Sequence, residues 1–143
     1  MRIRFSYITA VLSVAIIAGG LFWQPPKAVI EGEVTRVLDG DTFDLGDTRI
    51  RIWGIDAPER DTPLYDRATE TLVAIIDDDT PVCRHMDTDK YGRTVASCTI
   101  DDRDIAAEMV LAGMARDYYH FSRGAYAAEE NDARNAGVGL WKK

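Results

Sequence analysis

Beyond residue 27 the chain alternates between two rhythms of apolar and polar positions. From Ala28 to Leu38, Val29, Val34 and Val37 fall among Glu31, Glu33 and Arg36 with a period near two. That is the rhythm of a half-buried strand, and Gly32 inside it predicts a bulge or bend. Asp39-Gly40-Asp41 reverses the chain into Thr42–Leu45, and Gly46-Asp47 reverses it again into Thr48–Ile55. Ala57-Pro58 ends this third strand, because proline has no N–H for a ladder. The rhythm then turns helical. Leu64, Ala68, Leu72, Ile75 and Ile76 predict a helix from Thr62-Pro63 to about Ile76. Pro81–Met86 and Arg93–Ile100 predict a fourth and fifth strand, joined through a reversal at Asp89–Gly92. Asp104 suits the cap of a second helix that buries Ile105, Met109 and Val110 and stops at Gly113. Ser122 is placed to cap a third, reaching about Ala136, and Trp53 and Trp141 are expected in the core.

Periodicity alone supports a small α+β domain. Residues 27–143 have the length of one domain, large enough to build a core without a metal or disulfide staple. Residues 1–26 read differently. Arg2 and Arg4 precede an uncharged stretch of 19 residues from Phe5 to Trp23, closed by Pro25-Pro26. A basic start and an apolar run form a signal peptide or a signal anchor, and a span of about 20 residues leaves both open. Either one carries the domain out of the cytoplasm, to a periplasmic or extracellular location, soluble or held to the membrane by residues 5–23.

Without Arg2 and Arg4, 15 basic residues face 24 acidic ones, a net charge of −9. This balance argues against a tight, non-specific nucleic-acid binder, which needs a basic face. Cys83 and Cys98 are the only cysteines. Counting outward from a turn centred between Lys90 and Tyr91 sets them opposite each other, and export permits a cross-strand disulfide. Two buried thiols are the alternative. A zinc site is excluded, since no further cysteine or histidine stands near. His85 and His120 are isolated, and Asp77-Asp78-Asp79 reads as a solvated helix end.

Candidate chemistry gathers at the reversals. Asp41 follows a glycine turn, and Asp56 and Glu59 flank Pro58. Carboxylates brought to about 4 Å repel by about 4 kcal/mol per pair at an effective dielectric near 20, so such a cluster invites a cation. Oxygen ligands favour Ca²⁺ or Mg²⁺ over zinc. An EF-hand is excluded, because Asp44 stands where its loop, counted from Asp39, needs glycine. Arg51 faces away from its neighbours Ile50 and Ile52, and Arg93 follows the turn at Gly92. Taken singly, each of these residues is ordinary: Asp-Gly is a common hairpin dipeptide and strand arginines are usually solvated. Together, acids for a metal and arginines for an anion suggest phosphodiester hydrolysis.

Three motifs in order, Asp39-Gly40-Asp41-Thr42, Arg51 through Glu59, and Asp89-Lys90-Tyr91-Gly92-Arg93, resemble those of the staphylococcal nuclease (thermonuclease) family. The closing run Ala133–Trp141 is similar to that family's C-terminal helix and tryptophan, so the resemblance covers Ala28 to Trp141. It implies a five-stranded OB-type Greek-key β-barrel with three helices packed outside. It further implies that Asp41, Asp56 and the backbone carbonyl of Ala57 bind Ca²⁺, with Asp39 supporting them from behind. Glu59 would deprotonate or orient the attacking water. Arg51 and Arg93 would hold the phosphate oxygens and neutralise charge in the transition state. Tyr91 would pack beside the nucleotide, with Tyr119 or its neighbour Tyr118 as a second wall.

The expectation is a monomeric calcium-dependent endonuclease acting on DNA, with RNA left open as a second substrate. The competing reading is a non-catalytic OB-type module, tethered to the membrane, that binds nucleic acid or protein. The retained acids and arginines weigh against it. The domain departs from the secreted members in being acidic and lysine-poor, which bears on substrate affinity more than on chemistry. Ala57, where threonine is common, is tolerable because only a backbone oxygen is required of it.

Overall fold

The computed structural model describes residues 27–143. The leader expected at 1–26 lies outside the described residues. Among those described, no helix is long and apolar enough to cross a membrane. The strands, in chain order, are β1 (Val29–Glu31), β2 (Val34–Asp39), β3 (Thr42–Leu45), β4 (Thr48–Ile52), β5 (Ile55–Asp56), β6 (Val82–Thr88), β7 (Thr94–Ile100), β8 (Arg103–Asp104) and β9 (Arg116–Asp117). The helices are α1 (Tyr65–Ile76), α2 (Ile105–Leu111), α3 (Tyr119–Ser122) and α4 (Ala127–Ala136), followed by a 3₁₀ turn at Gly139–Trp141.

One broken strand explains the architecture. The first apolar-polar alternation splits at Gly32 into β1 and β2, and the two halves take different partners. β2 pairs with β3 and β3 with β4, all antiparallel, and β4 lies parallel to β7. β7 pairs antiparallel with β6, whose other edge receives β1. The sheet order is therefore β1-β6-β7-β4-β3-β2, with β8 added on β7. Its two outermost strands are consecutive pieces of one segment, so the sheet curls until its edges approach. This is the closure of an OB-type barrel.

The concave face is filled by Phe43, Leu45, Ile50 and Ile52 from β3 and β4, and by Ala96, Cys98 and Ile100 from β7. Each set alternates along its strand, as one buried face requires. Ala68, Leu72 and Ile76 of α1 and Ile105, Met109 and Val110 of α2 complete the core. The Asp104 carboxylate caps α2, accepting from the N–H groups of Ala106 and Ala107. Cys83 and Cys98 stand opposite each other in register and are joined by a disulfide.

Four details correct the sequence reading. The third strand stops at Ile52 rather than Ile55. Gly54 there has φ +79°, and a Cβ on it would come within 2.9 Å of the Tyr126 ring, so the chain bends sharply and Ile55–Asp56 pairs with β9. The third helix divides in two. Arg123 and Gly124 both take positive φ, and Ser122 accepts from the Gly124 N–H between α3 and α4 instead of capping a long helix. The first helix begins at Tyr65, because Thr62 is turned back onto the Glu59 carbonyl. Finally, Trp53 is half-buried against the core and edge-on to Tyr126, and Trp141 is half-buried outside that core, with the Arg134 guanidinium carbon 3.7 Å from its ring centroid.

Candidate active site

The β2–β3 turn and the end of β5 are pressed together by a glycine. A Cβ at Gly40 would lie 2.7 Å from that of Ala68 and 2.8 Å from that of Ala57, so only glycine lets the turn close on α1 and on the β5 exit. Spatial fit, rather than turn conformation, is what this position demands. Asp41, next in sequence, is thereby buried at 7% exposure. Its Oδ2 accepts the Ala57 N–H at 2.9 Å, and its Oδ1 accepts the Thr42 hydroxyl at 3.1 Å. Asp39 turns its carboxylate to the Asp41 N–H at 3.1 Å, supporting the turn from behind.

Arg51 is fixed in the same place from four directions. Its Nη1 donates to the Ile52 carbonyl at 2.8 Å and its Nη2 to the Ile55 carbonyl at 2.9 Å. Nη2 also sits 3.1 Å from Asp41 Oδ2 and 3.8 Å from Asp56 Oδ1. One guanidinium nitrogen thus bridges the carboxylates of two chain reversals. Burial pushes the Asp41 carboxyl up to about 6, against the lowering by Arg51 and by the Ala57 N–H. The arginine only partly compensates the charge that folding confines there.

Asp56 is half-exposed on its outer side, and Glu59 is exposed. Glu59 makes no ion pair among the described residues, and its backbone carbonyl holds the turn to Thr62. Asp41 and Asp56 are therefore brought together, and Glu59 stands at the rim. Among the described residues no three His, Cys, Asp or Glu side chains gather closely enough to hold a metal ion by themselves.

Arg51 also opens onto a cleft of about 550 Å³ that Arg93 shares. The register explains why. In the parallel β4–β7 pair Arg51 stands beside Val95, and Arg93, two residues before Val95, projects to the same face. Arg93 is held by Asp89: its Nε donates to Oδ2 at 2.6 Å. The Asp89 carboxyl stays below the usual carboxylate range. Burial works to raise it, but the hydrogen bonds from Arg93 and Tyr91 outweigh that.

The aromatic wall is partly the expected one. Tyr91, 73% exposed, lines the cleft, and so do Tyr118 and Phe121. Tyr119 does not; it lies over a separate hollow beside Asp117 and Arg134. The reason is helical spacing: Tyr118 and Phe121 are three apart on one turn and stack edge-to-face, which turns Tyr119 away. Phe121 and the tether role of Asp89 were missed by the sequence reading. The spacing of 118 and 121, and of 89 and 93, was the available signal.

Residues 49–143 match the family profile described as Staphylococcal nuclease homologue. The chain belongs to this family. It is similar to Protein ParB of Escherichia coli, 33% identical over 148 residues, spanning 92% of this chain and 81% of that protein. An uncharacterized endonuclease of Escherichia coli is 32% identical over 125 residues, 83% of this chain and 82% of the relative. Micrococcal nuclease of Shigella flexneri is 30% identical over 152 residues, covering 95% and 87%. The staphylococcal nuclease homologue match starts at Arg49, so Asp39 and Asp41 precede it. Contact of Asp41 with Arg51 and Ala57 joins them to the matched part.

Proposed function

We propose that the chain is a calcium-dependent endonuclease that hydrolyses phosphodiester bonds of DNA and RNA outside the cytoplasm. The observation that carries this reading is the Arg51 guanidinium, held between Asp41 and Asp56 and open to the cleft it shares with Arg93. Family membership and the nuclease names of two of the relatives support it. The leader and the Cys83–Cys98 disulfide support the location, since disulfides persist in oxidising compartments.

The donors present fit a hard cation. Asp41 and Asp56 offer only oxygen, and the raised Asp41 carboxyl marks negative charge that one arginine leaves partly uncompensated. Asp41, Asp56 and the Ala57 carbonyl would hold Ca²⁺, which supplies Lewis-acid polarisation of the phosphate. The chain's own groups do the rest. Glu59, exposed and without an ion-pair partner among the described residues, accepts the proton of the water whose oxygen bonds to phosphorus. The phosphorus–oxygen ester bond breaks, and the leaving oxygen takes up a proton from solvent. Arg51 retains its Nε–H and one N–H on Nη1, and Arg93 retains both Nη groups, for the phosphate oxygens as charge develops on them. Tyr91, Tyr118 and Phe121 offer faces on which unstacked bases can lie.

The test is cleavage of single-stranded DNA and RNA by the purified chain in calcium and in chelator. Calcium-dependent cleavage that drops at least a thousandfold in Arg51→Ala, Glu59→Ala is expected. Equal cleavage by the double variant rejects the reading.

A further inference from the structure

We propose that Asp89 is the positioning residue for Arg93, aiming its guanidinium across the cleft through a single charge-assisted contact. The proposal rests on the nuclease reading above and adds a residue to it. Asp89 makes no contact with Arg51, Asp41 or Asp56 among the hydrogen bonds and ion pairs of the described residues, yet it lines the same cleft. One carboxylate reinforces the β6–β7 turn, which the backbone bonds Asp89 N–H to Arg93 C=O and Gly92 N–H to Asp89 C=O also close. Oδ1 accepts the N–H of Tyr91 at 2.9 Å and that of Arg93 at 3.0 Å, and Oδ2 accepts Arg93 Nε at 2.6 Å.

The choice of nitrogen matters. Holding Nε leaves both Nη groups without a hydrogen-bond partner among the described residues, on a guanidinium 5.6 Å from the Tyr91 ring centroid, as the fork that meets two oxygens of one phosphate. The Asp89 side chain is 19% exposed and that of Arg93 31%, so the pair is partly withdrawn from water and the arginine loses little freedom on meeting substrate. Gly92, at φ +78°, permits the reversal that brings residue 93 back to residue 89. Without the tether Arg93 would be a long side chain on an exposed hairpin, with no other ion-pair partner among the described residues.

Asp89→Asn tests this, because the amide oxygen still accepts the two turn N–H groups while the amide nitrogen, a donor, cannot accept the Arg93 Nε–H. On single-stranded DNA in calcium, Asp89→Asn in the full chain is expected to lower kcat about tenfold with KM within twofold. In an Arg93→Ala background the same substitution is expected to cost nothing further. The Arg93 Nε–H proton resonance, downfield in the parent, is expected to move upfield in Asp89→Asn. If that variant does not fold, Asp89→Ser carries the same predictions. An unchanged kcat, a lowered KM, or a tenfold loss that persists without Arg93 overturns the proposal. If the parent shows no calcium-dependent cleavage, the nuclease reading fails by itself, and an unmoved Nε–H resonance still overturns the tether.

Discussion

Arg51 and Arg93 line one cleft, yet the protein holds them by opposite means. Arg51 is 15% exposed and clamped by two carbonyls and two carboxylates, on a strand in the middle of the sheet. Arg93 stands at an exposed turn and is held by one carboxylate four residues away. The difference teaches where fold and chemistry are inseparable. Around Arg51, the same contacts that place the guanidinium also join β4, the β2–β3 turn and β5. Around Arg93, placement is local, and the fold has little stake in it.

The sharpest way to break that contrast is to remove each arginine. Arg51→Ala leaves Asp41 buried without its cation, so it is expected to destabilise the fold by about 3 kcal/mol as well as abolish cleavage. Arg93→Ala is expected to slow cleavage about a hundredfold while changing stability by less than about 0.5 kcal/mol. Denaturant unfolding beside a cleavage assay separates the two. Equal stability losses would erase the distinction.

Reduction of the Cys83–Cys98 bridge sharpens the comparison from the other side. It staples the hairpin that ends in the Arg93 turn and closes a loop of 15 residues, a contribution of about 3 kcal/mol. Cys83→Ala, Cys98→Ala is expected to lower stability by that order and leave kcat within threefold at 25 °C, because Asp89 sets the turn independently. A collapse of kcat in a still-folded variant would show that the turn depends on the whole hairpin.

The Asp41 centre should also be visible in pH dependence. Its carboxyl is raised from 3.8 to about 6 in the folded chain, chiefly by burial. The folded state therefore binds the proton more tightly, and this group's contribution is full below pH 4 and lost as pH rises through 6. At pH 7 confining the charge costs about 3 kcal/mol, which Asp41→Asn removes and which bound calcium offsets. Unfolding from pH 4 to 8 in chelator should show the fall with pH in the parent and a flatter profile in the variant. Arg93 and Asp89 lie outside this effect. Among the destabilising variants the smallest loss is that of Tyr126→Phe, which loses the hydroxyl bond to Asp104 at 3.2 Å, worth about 1 kcal/mol.

Much of this was legible in the sequence because the local signals agreed. Phe43 and Leu45, and Ile50 and Ile52, recur at every second residue and are buried, Asp104 is a capping residue at a cap, and Asp41 and Asp89 fall at true reversals. The cysteine pairing emerged for a subtler reason. The turn pairs Thr88 with Thr94, which centres it on Tyr91, and a bulge between His85 and Asp87 shifts the register so that Cys83 still meets Cys98. What stayed hidden depended on three-dimensional contact. Gly54 reads as an ordinary strand glycine until Tyr126 arrives beside it, and Gly40 as a turn former until Ala57 and Ala68 close on it. Tyr119 and Tyr118 are indistinguishable in sequence. Only the single turn of α3 decides which of them faces the cleft.

The most direct measurement is a calcium titration of the purified chain that follows melting temperature and single-stranded DNA cleavage together. Both are expected to rise with one midpoint in the parent, and Asp41→Asn is expected to lose both responses. Full cleavage in chelator, or an Asp41→Asn variant that responds to calcium as the parent does, would contradict it.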